Sequence, residues 1–273
     1  MIPAPFDYVR AGSAEEALSL IVEHGDEAKF IAGGMSLLPL MKLRLATPTV
    51  VVDVGRLREL SYVRVDGDTV AIGALTRHRD LETDAVLAAN CGVLQAVAAQ
   101  VGDNQVRHRG TIGGSVAHGD PASDLPAALL ALDAEFVVRG PGGDRTIPAA
   151  SFFRGFLETA LAPDELLVEI RVGATGRNGF SYQKFNRRAQ DWAIVGALAV
   201  RANGATRVGL VNMGSTPIRA TAVEHALASG ATAVDAAAQA DVGTEPSADL
   251  NASVEYRRHL ARVLVRRALE ATG

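Results

Sequence analysis

Two glycine pairs are the residues whose type and spacing most clearly suggest chemistry. Gly33-Gly34 follows a short apolar run, and Gly113-Gly114 follows Thr111 by one residue. Glycine adopts positive φ at little steric cost and lets a ligand approach the backbone closely. Consecutive backbone amides in such turns form concavities that bind anions. The two pairs predict a loop site for a phosphate or a dinucleotide, with ordinary tight turns as the alternative.

The spacing around these glycines excludes two common nucleotide motifs. Neither loop has the pattern G-x-G-x-x-G or G-x-x-x-x-G-K-[ST], which disfavours a nicotinamide-binding Rossmann domain and a nucleoside triphosphatase. The hydroxyls of Ser36, Thr111 and Ser115 add hydrogen-bond donors without adding charge. Uncharged donors suit a diphosphate that is held by a chain of net charge −4.

The histidines and the lone cysteine give no comparable signal. His78, His108 and His118 lack the i, i+4 spacing of a zinc-binding helix, so packed or solvated side chains are expected. Cys91 is the one cysteine in the chain, which excludes an internal disulfide and a cysteine-ligated zinc or iron–sulfur site within it. A buried, inert thiol is favoured over a reactive one. Trp192 could stack on an aromatic ligand or pack in the core.

Composition limits the class of protein. The chain has 273 residues, 48% of them hydrophobic, with Lys+Arg 27 against Asp+Glu 31. These values indicate a folded protein and disfavour nucleic acid or an anionic membrane as partner. No apolar run reaches about 18 residues, so we expect no integral membrane segment. The N-terminal residues lack the apolar run of a signal peptide, which predicts a cytoplasmic protein.

The elements that must position the glycine loops mix strands and helices without strict alternation. Ser13 to Glu16 form a capping box that opens a helix ending near Gly25. Strands are predicted over 29–32 and 50–54, so the first glycine pair leaves the end of a strand. Single helices are predicted over 79–89 and 124–132, and the last block begins at about residue 176. This pattern predicts an α+β fold.

Four segments then resemble one family in its order along the chain. They are Ala32–Ala46 (AGGMSLLPLMKLRLA), Arg109–Leu132 (RGTIGGSVAHGDPASDLPAALLAL), Tyr182–Leu198 and Val211–Ala220. The family is the FAD-binding medium subunit of molybdenum hydroxylases, the carbon monoxide dehydrogenase and xanthine dehydrogenase group. The resemblance covers nearly the whole chain.

The resemblance implies a two-lobed FAD-binding domain of the vanillyl-alcohol-oxidase type over residues 1–175, with lobes of about 1–55 and 56–175. A smaller α+β domain of the carbon monoxide dehydrogenase flavoprotein type would follow over 176–273. It also implies non-covalent FAD and an oxidoreductase whose chain supplies no catalytic acid, base or nucleophile and no metal ligand. Asp124 would accept hydrogen bonds from cofactor hydroxyls, although a helix-capping role is the alternative. The cofactor-binding residues would be Phe30, Ile31, Ala32, Gly33, Gly34, Met35, Ser36, Leu37, Val101, Thr111, Ile112, Gly113, Gly114, Ser115, Asp124, Leu166 and Lys184.

Partners are also implied by the resemblance. A small subunit with [2Fe–2S] clusters would pass electrons to FAD, and a large subunit would carry the molybdenum cofactor, as a dimer of heterotrimers. The chain would then deliver electrons to an external acceptor. Met35 stands where carbon monoxide dehydrogenases commonly have histidine, which argues against carbon monoxide as the substrate. A free-standing flavin-binding protein or an oxidase without these partners is the alternative.

Overall fold

The computed structural model describes residues 2–177, 179–202 and 204–272. The N-terminal part forms a parallel sheet in which β3 lies between β1 and β2. As predicted, Ser13 caps α1 by accepting from the amide of Glu16 at 3.1 Å. The carboxylate of Glu16 accepts from the amide of Gly12 rather than from that of Ser13. The elements are β1 (Asp7–Arg10), α1 (Ala14–His24), β2 (Ala28–Ile31), α2 (Leu37–Lys42) and β3 (Val50–Asp53).

The middle part combines an antiparallel sheet with short helices. Its strands lie in the order β4-β5-β10-β6-β7, and β8 pairs with β9 in a separate hairpin. The strands are β4 (Val63–Asp66), β5 (Thr69–Gly73), β6 (Glu135–Gly140), β7 (Gly143–Pro148), β8 (Phe153–Gly155), β9 (Glu158–Thr159) and β10 (Leu166–Gly173). The helices are α3 (His78–Thr83), α4 (Ala85–Asn90), α5 (Gly92–Ala98), α6 (Asn104–Arg109), α7 (Ile112–His118), α8 (Asp124–Ala131) and α9 (Ala149–Phe152).

One sequence prediction in this part is wrong. The single helix expected over 79–89 is two helices, α3 and α4, which separate at Asp84. Asp84 has extended backbone, and its carboxylate accepts from the amide of Leu87 at 2.7 Å. An aspartate N-cap satisfies a free amide at the start of a helix, so Asp84 begins α4 instead of continuing α3.

The C-terminal part is an antiparallel sheet in the order β11-β12-β13-β14, covered on both faces. Successive β12 side chains point to opposite faces, with Ala197 in the cluster under the C-terminal helices and Leu198 in the central core. The elements are β11 (Phe180–Phe185), β12 (Val195–Ala202), β13 (Ala205–Val211), β14 (Ile218–Arg219), α10 (Thr221–Ala228), α11 (Ala233–Ala237) and α12 (Val254–Thr272).

The central hydrophobic core joins the middle and C-terminal parts. Tyr182 of β11 and Leu198 of β12 belong to the same buried cluster as Leu129 of α8 and Phe136 of β6. A second cluster packs α1 and β3 against Val137 and other residues of the middle sheet. The parallel and antiparallel sheets confirm the predicted α+β class, and the shared cores fix β11, α8 and the N-terminal sheet around one cleft. Within the described ranges, no helix is both long enough and apolar enough to cross a membrane.

Candidate flavin site

The cleft has a volume of about 580 Å³ and is lined by all three parts of the chain. It includes every cofactor-binding residue expected from the sequence except Ile112. The Ile112 side chain lies fully buried in the central core, and its amide donates to the carbonyl of Thr76 at 3.0 Å. Lining residues that sequence reasoning did not assign to the site include His78, Leu40, Leu161 and Glu165.

The first glycine loop connects β2 to α2 and lies directly against the second. A Cβ on Gly33 would stand 2.0 Å from the carbonyl oxygen of Arg109, so no larger residue fits there without moving a backbone. Gly34 has φ of +76°, a conformation that residues with a Cβ rarely adopt. Gly33 therefore permits the contact between the loops, and Gly34 permits the turn into α2.

This loop carries a row of unpaired donors along the cleft. Among the described residues, the backbone amides of Gly33, Gly34, Met35, Ser36 and Leu37 have no hydrogen-bond acceptor. The chain segment that carries them lines the cleft. Consecutive free amides around a left-handed residue form an anion-binding concavity. The loop therefore fits a diphosphate such as that of FAD.

The second glycine pair differs from expectation. Gly113 and Gly114 lie in the first turn of α7 and do not adopt positive φ, so that part of the sequence interpretation is wrong. The amide of Gly113 donates to the carbonyl of Ala74 at 2.8 Å, and that of Gly114 donates to Thr111 Oγ1 at 3.1 Å. These amides are already satisfied. A ligand can therefore come close to the backbone of this wall and bond to its side-chain donors, but the amides of Gly113 and Gly114 are not free to bind it.

His78 and Ser115 form the polar contact behind this second wall. Nε2 of His78 lies 3.1 Å from Oγ of Ser115, and both residues line the cleft. Burial lowers the pKa of His78 to about 4, so the ring is neutral at pH 7. The expectation of a packed histidine is confirmed for His78, but its contact with a residue of the second glycine loop gave no signal in the sequence.

Asp124 stands at the start of α8 and is held by two side chains from β11. Its carboxylate accepts from the hydroxyl of Tyr182 and from Nζ of Lys184, the latter at 2.9 Å. Ser123 occupies the N-cap position, which weakens the capping interpretation of Asp124. Burial raises the pKa of Asp124, while the Lys184 ammonium opposes that shift. Because each carboxylate oxygen can accept a further hydrogen bond, Asp124 can still bind hydroxyl groups in the cleft.

Lys184 also keeps one donor available. Its ammonium group donates to the carbonyl of Gln100 at 2.9 Å as well as to Asp124. An ammonium has three N–H bonds, so one remains for a ligand. Val101 and Leu166 contribute apolar surface to the same cleft.

Other chemistry is not supported by the described residues. No group of three or more His, Cys, Asp or Glu side chains among them could hold a metal ion. Cys91 is fully buried, and burial raises the pKa of its thiol to about 11. A thiol with so high a pKa is protonated at neutral pH and a poor nucleophile.

Comparisons with known proteins identify relatives over nearly the whole chain. A model of the FAD-binding domain in molybdopterin dehydrogenase matches residues 4–174, and a model of the CO dehydrogenase flavoprotein C-terminal domain matches residues 180–272. The carbon monoxide dehydrogenase medium chain of Hydrogenophaga pseudoflava is 42% identical, over 99% of this chain and 98% of that one. The 6-hydroxypseudooxynicotine dehydrogenase complex subunit alpha of Paenarthrobacter nicotinovorans is 39% identical, over 98% of this chain and 95% of that one.

A solved structure shows the same likeness in three dimensions. Carbon monoxide dehydrogenase from Hydrogenophaga pseudoflava, in a form lacking the Mo-pyranopterin moiety of the molybdenum cofactor, superposes with a TM-score of 0.95 at 42% identity. The match covers 100% of this chain and 98% of that one. The fold expected from the sequence is therefore confirmed along the whole chain.

Proposed function

Since the chain belongs to the family of FAD-binding medium subunits of molybdenum hydroxylases, which are oxidoreductases, we propose that it transfers electrons through non-covalently bound FAD. The electrons come from a [2Fe–2S] partner subunit and leave to an external acceptor. The row of free amides from Gly33 to Leu37 is the observation that carries this proposal, because it gives the FAD diphosphate a place to bind.

The residues of the cleft divide into three roles. The loop from Phe30 to Leu37 holds the diphosphate through its amides, and the segment from Thr111 to Ser115 forms the opposite wall. Asp124 accepts hydrogen bonds from hydroxyls of the cofactor. Val101 and Leu166 pack against the ring system, and Lys184 directs its remaining N–H towards the cofactor.

FAD supplies the redox chemistry, because its ring system accepts and releases electrons singly or in pairs. The chain binds and orients it, excludes water with apolar side chains and fixes charges near it. Among the charges that line the cleft, the ion pair between Asp124 and Lys184 is almost fully buried. A buried pair changes the electrostatic environment more strongly than an exposed one, since water screens it less. No side chain of this subunit acts as general acid, base or nucleophile in the proposal.

Substrate oxidation belongs to other subunits in this proposal. A large subunit carries the molybdenum cofactor, and a small one carries the [2Fe–2S] clusters, in a dimer of heterotrimers in the cytoplasm. Similar chains are named for carbon monoxide dehydrogenase and for a 6-hydroxypseudooxynicotine dehydrogenase complex. We therefore assign substrate choice to the large subunit. The boundary between the FAD-binding domain and the C-terminal domain lies near residue 175.

Purification of the tagged chain from its own cells tests this function. We expect a large and a small chain to co-purify and the preparation to contain flavin. In stopped-flow mixing, the reduced small subunit should bleach the flavin absorption of the medium subunit. A flavin-loaded chain that purifies alone, and that the small subunit does not reduce, would favour a free-standing flavoprotein.

A further inference from the structure

His78 is a buried side chain whose ring contacts the flavin cleft from behind. It begins α3 and is 3% exposed. Nε2 lies 3.1 Å from Oγ of Ser115, a half-buried residue of α7. Nδ1 is inaccessible to water and has no hydrogen-bond partner among the described residues. In the described part of the chain, Ser115 is the one side chain that bonds the ring, and its hydroxyl lines the cleft. The backbone of Thr111 also interacts with the ring and acts to raise its pKa.

The backbone fixes the ring relative to the second loop. The amide of His78 donates to the carbonyl of Gly110 at 3.0 Å, and the amide of Ile112 donates to that of Thr76 at 3.0 Å. A Cβ on Gly110 would lie 3.1 Å from Nδ1 of His78. The ring has little room to turn away from Ser115, so the pair behaves as one unit.

We propose that His78 is a positioning residue that donates its Nε2–H to Ser115 and so turns the Ser115 hydroxyl proton towards a phosphate oxygen of FAD. This inference rests on the proposed function, because it names how one wall of the cleft recognises the cofactor. A neutral imidazole carries one N–H, and a serine hydroxyl both donates and accepts. In this arrangement the Nε2–H, the serine hydroxyl and the phosphate oxygen each have a matched partner, and only the acceptor Nδ1 stays unpaired.

The opposite tautomer is less favourable in two respects. If Nε2 accepted from Ser115, the serine would present lone pairs to an anion. Nδ1 would then carry a buried N–H without a partner, and orphaned buried N–H groups are rarer than unsatisfied acceptors. The amides of Gly113 and Gly114 are already paired, so the Ser115 hydroxyl is a donor that this wall can still offer.

FAD titrations of four variants test the arrangement. Dissociation constants are measured by flavin fluorescence on the full chain, with any co-purifying subunits retained. Ser115→Ala should weaken FAD binding about tenfold, since it removes a hydrogen bond to a charged group. His78→Met should weaken it by a similar factor. His78→Met with Ser115→Ala should be no worse than either single change.

His78→Gln is the matched control, because glutamine places an amide N–H the same number of bonds from Cα as Nε2. We expect its FAD dissociation constant to lie within about threefold of the wild-type value. That change is smaller than the roughly tenfold weakening expected when a charge-assisted hydrogen bond is lost. A folded His78→Met chain that binds FAD like the wild type would overturn the proposal. An FAD dissociation constant that is unchanged in Ser115→Ala would also overturn it, and this test does not depend on whether a variant of the buried His78 folds.

The tautomer can also be observed directly. Long-range ¹⁵N–¹H spectra of the FAD-loaded chain show which ring nitrogen carries the proton. The signals of His78 are identified as those that disappear in His78→Gln, and we expect the proton on Nε2. A proton on Nδ1 contradicts the proposal. A wild-type chain that binds no FAD under any of these conditions would instead contradict the proposed function, so the two failures are distinguishable.

Discussion

Nζ of Lys184 donates to Oδ2 of Asp124 at 2.9 Å, and this bond connects β11 of the C-terminal part to α8 of the middle part. Their side chains are 4% and 6% exposed. A buried ion pair contributes little net stability, because desolvation offsets the attraction, but removing one partner is costly. A change at either residue should therefore affect both the packing of β11 on α8 and the charges that line the cleft.

Asp124→Asn should reduce both stability and FAD affinity. The Lys184 ammonium would stay buried without its counter-charge, which we expect to lower the free energy of unfolding by about 3 kcal/mol. The variant would also lose the carboxylate to which we assign the cofactor hydroxyls, so we expect FAD binding to weaken about ten- to hundredfold. Urea unfolding of the FAD-free chain and FAD titration measure the two effects separately.

The double variant Asp124→Asn, Lys184→Met is the control for this pair. It removes both charges, so it should be less destabilised than the sum of the two single variants. Additive losses of stability would show that the two side chains do not interact in the folded chain. Reduced stability with an unchanged FAD dissociation constant would leave Asp124 with a structural role.

The stability of the FAD-free chain should fall in acid through His78. Its pKa is lowered from 6.5 to about 4 by burial, so the unfolded chain binds the proton more readily than the folded chain. The stabilising contribution is thus complete above about pH 6.5 and is lost as the pH falls towards 4. At about 1.36 kcal/mol per pKa unit, the loss approaches about 3 kcal/mol.

Urea unfolding between pH 7.5 and pH 4.5 checks this dependence against His78→Gln. The carboxylates and the other histidines titrate in both proteins, so the difference between the two curves isolates His78. The wild type should lose stability more steeply below about pH 6.5. Parallel curves would mean that the imidazole titrates normally in the folded state.

Gly34→Ala should weaken FAD binding more than it weakens the fold. Both Gly34 and Gly230 have positive φ, at +76° and +86°, so alanine costs about 1 kcal/mol of backbone strain at either position. At Gly34 the added Cβ would also stand 2.9 Å from Cδ1 of Leu38, a side chain that must shift, whereas at Gly230 it would meet nothing within 4 Å. Only Gly34 of these two lies in the cleft, where relaxing the strain would displace the free amides. Equal FAD dissociation constants for Gly34→Ala and Gly230→Ala would contradict the role of this loop.

Trp192 should become less accessible when FAD binds. It is the one tryptophan of the chain, its side chain is 60% exposed, and it lines the cleft. A ring that packs on the cofactor is shielded from small quenchers. Acrylamide quenching of its fluorescence should therefore be weaker with FAD bound, after correction for energy transfer to the flavin. An unchanged quenching constant would place the ring outside the site.

Local sequence patterns predicted the elements well where short-range chemistry decides them. Ser13 and Glu16 gave the start of α1, and the strands expected over 29–32 and 50–54 are β2 and β3, each within one residue of its expected bounds. The division of residues 78–90 into α3 and α4 was missed because Asp84 can continue a helix or cap one. Long-range packing selects the cap, and the sequence alone does not contain that information.

The candidate site also contains residues that the sequence identified and contacts that only the folded structure reveals. Gly33 and Gly34 were identified because glycine carries a conformational signal, whereas the regular first turn of α7 at Gly113 depends on its contact with Ala74. His78 and Ser115 are 37 residues apart in sequence, so their contact follows only from the packing of α3 on the second loop. Family resemblance supplied further cleft residues such as Val101, Asp124 and Lys184, but it did not supply Leu161 or Glu165, and it included the buried Ile112.

A crystal structure of the FAD-loaded protein would show whether the free amides of the first glycine loop bind the cofactor. We expect the FAD diphosphate against the loop of Gly33 to Leu37, with at least two backbone amide nitrogens about 2.7–3.2 Å from phosphate oxygens. The ring system should then lie near Lys184 and Leu166. A diphosphate bound elsewhere, with these amides still unpaired, would contradict this expectation.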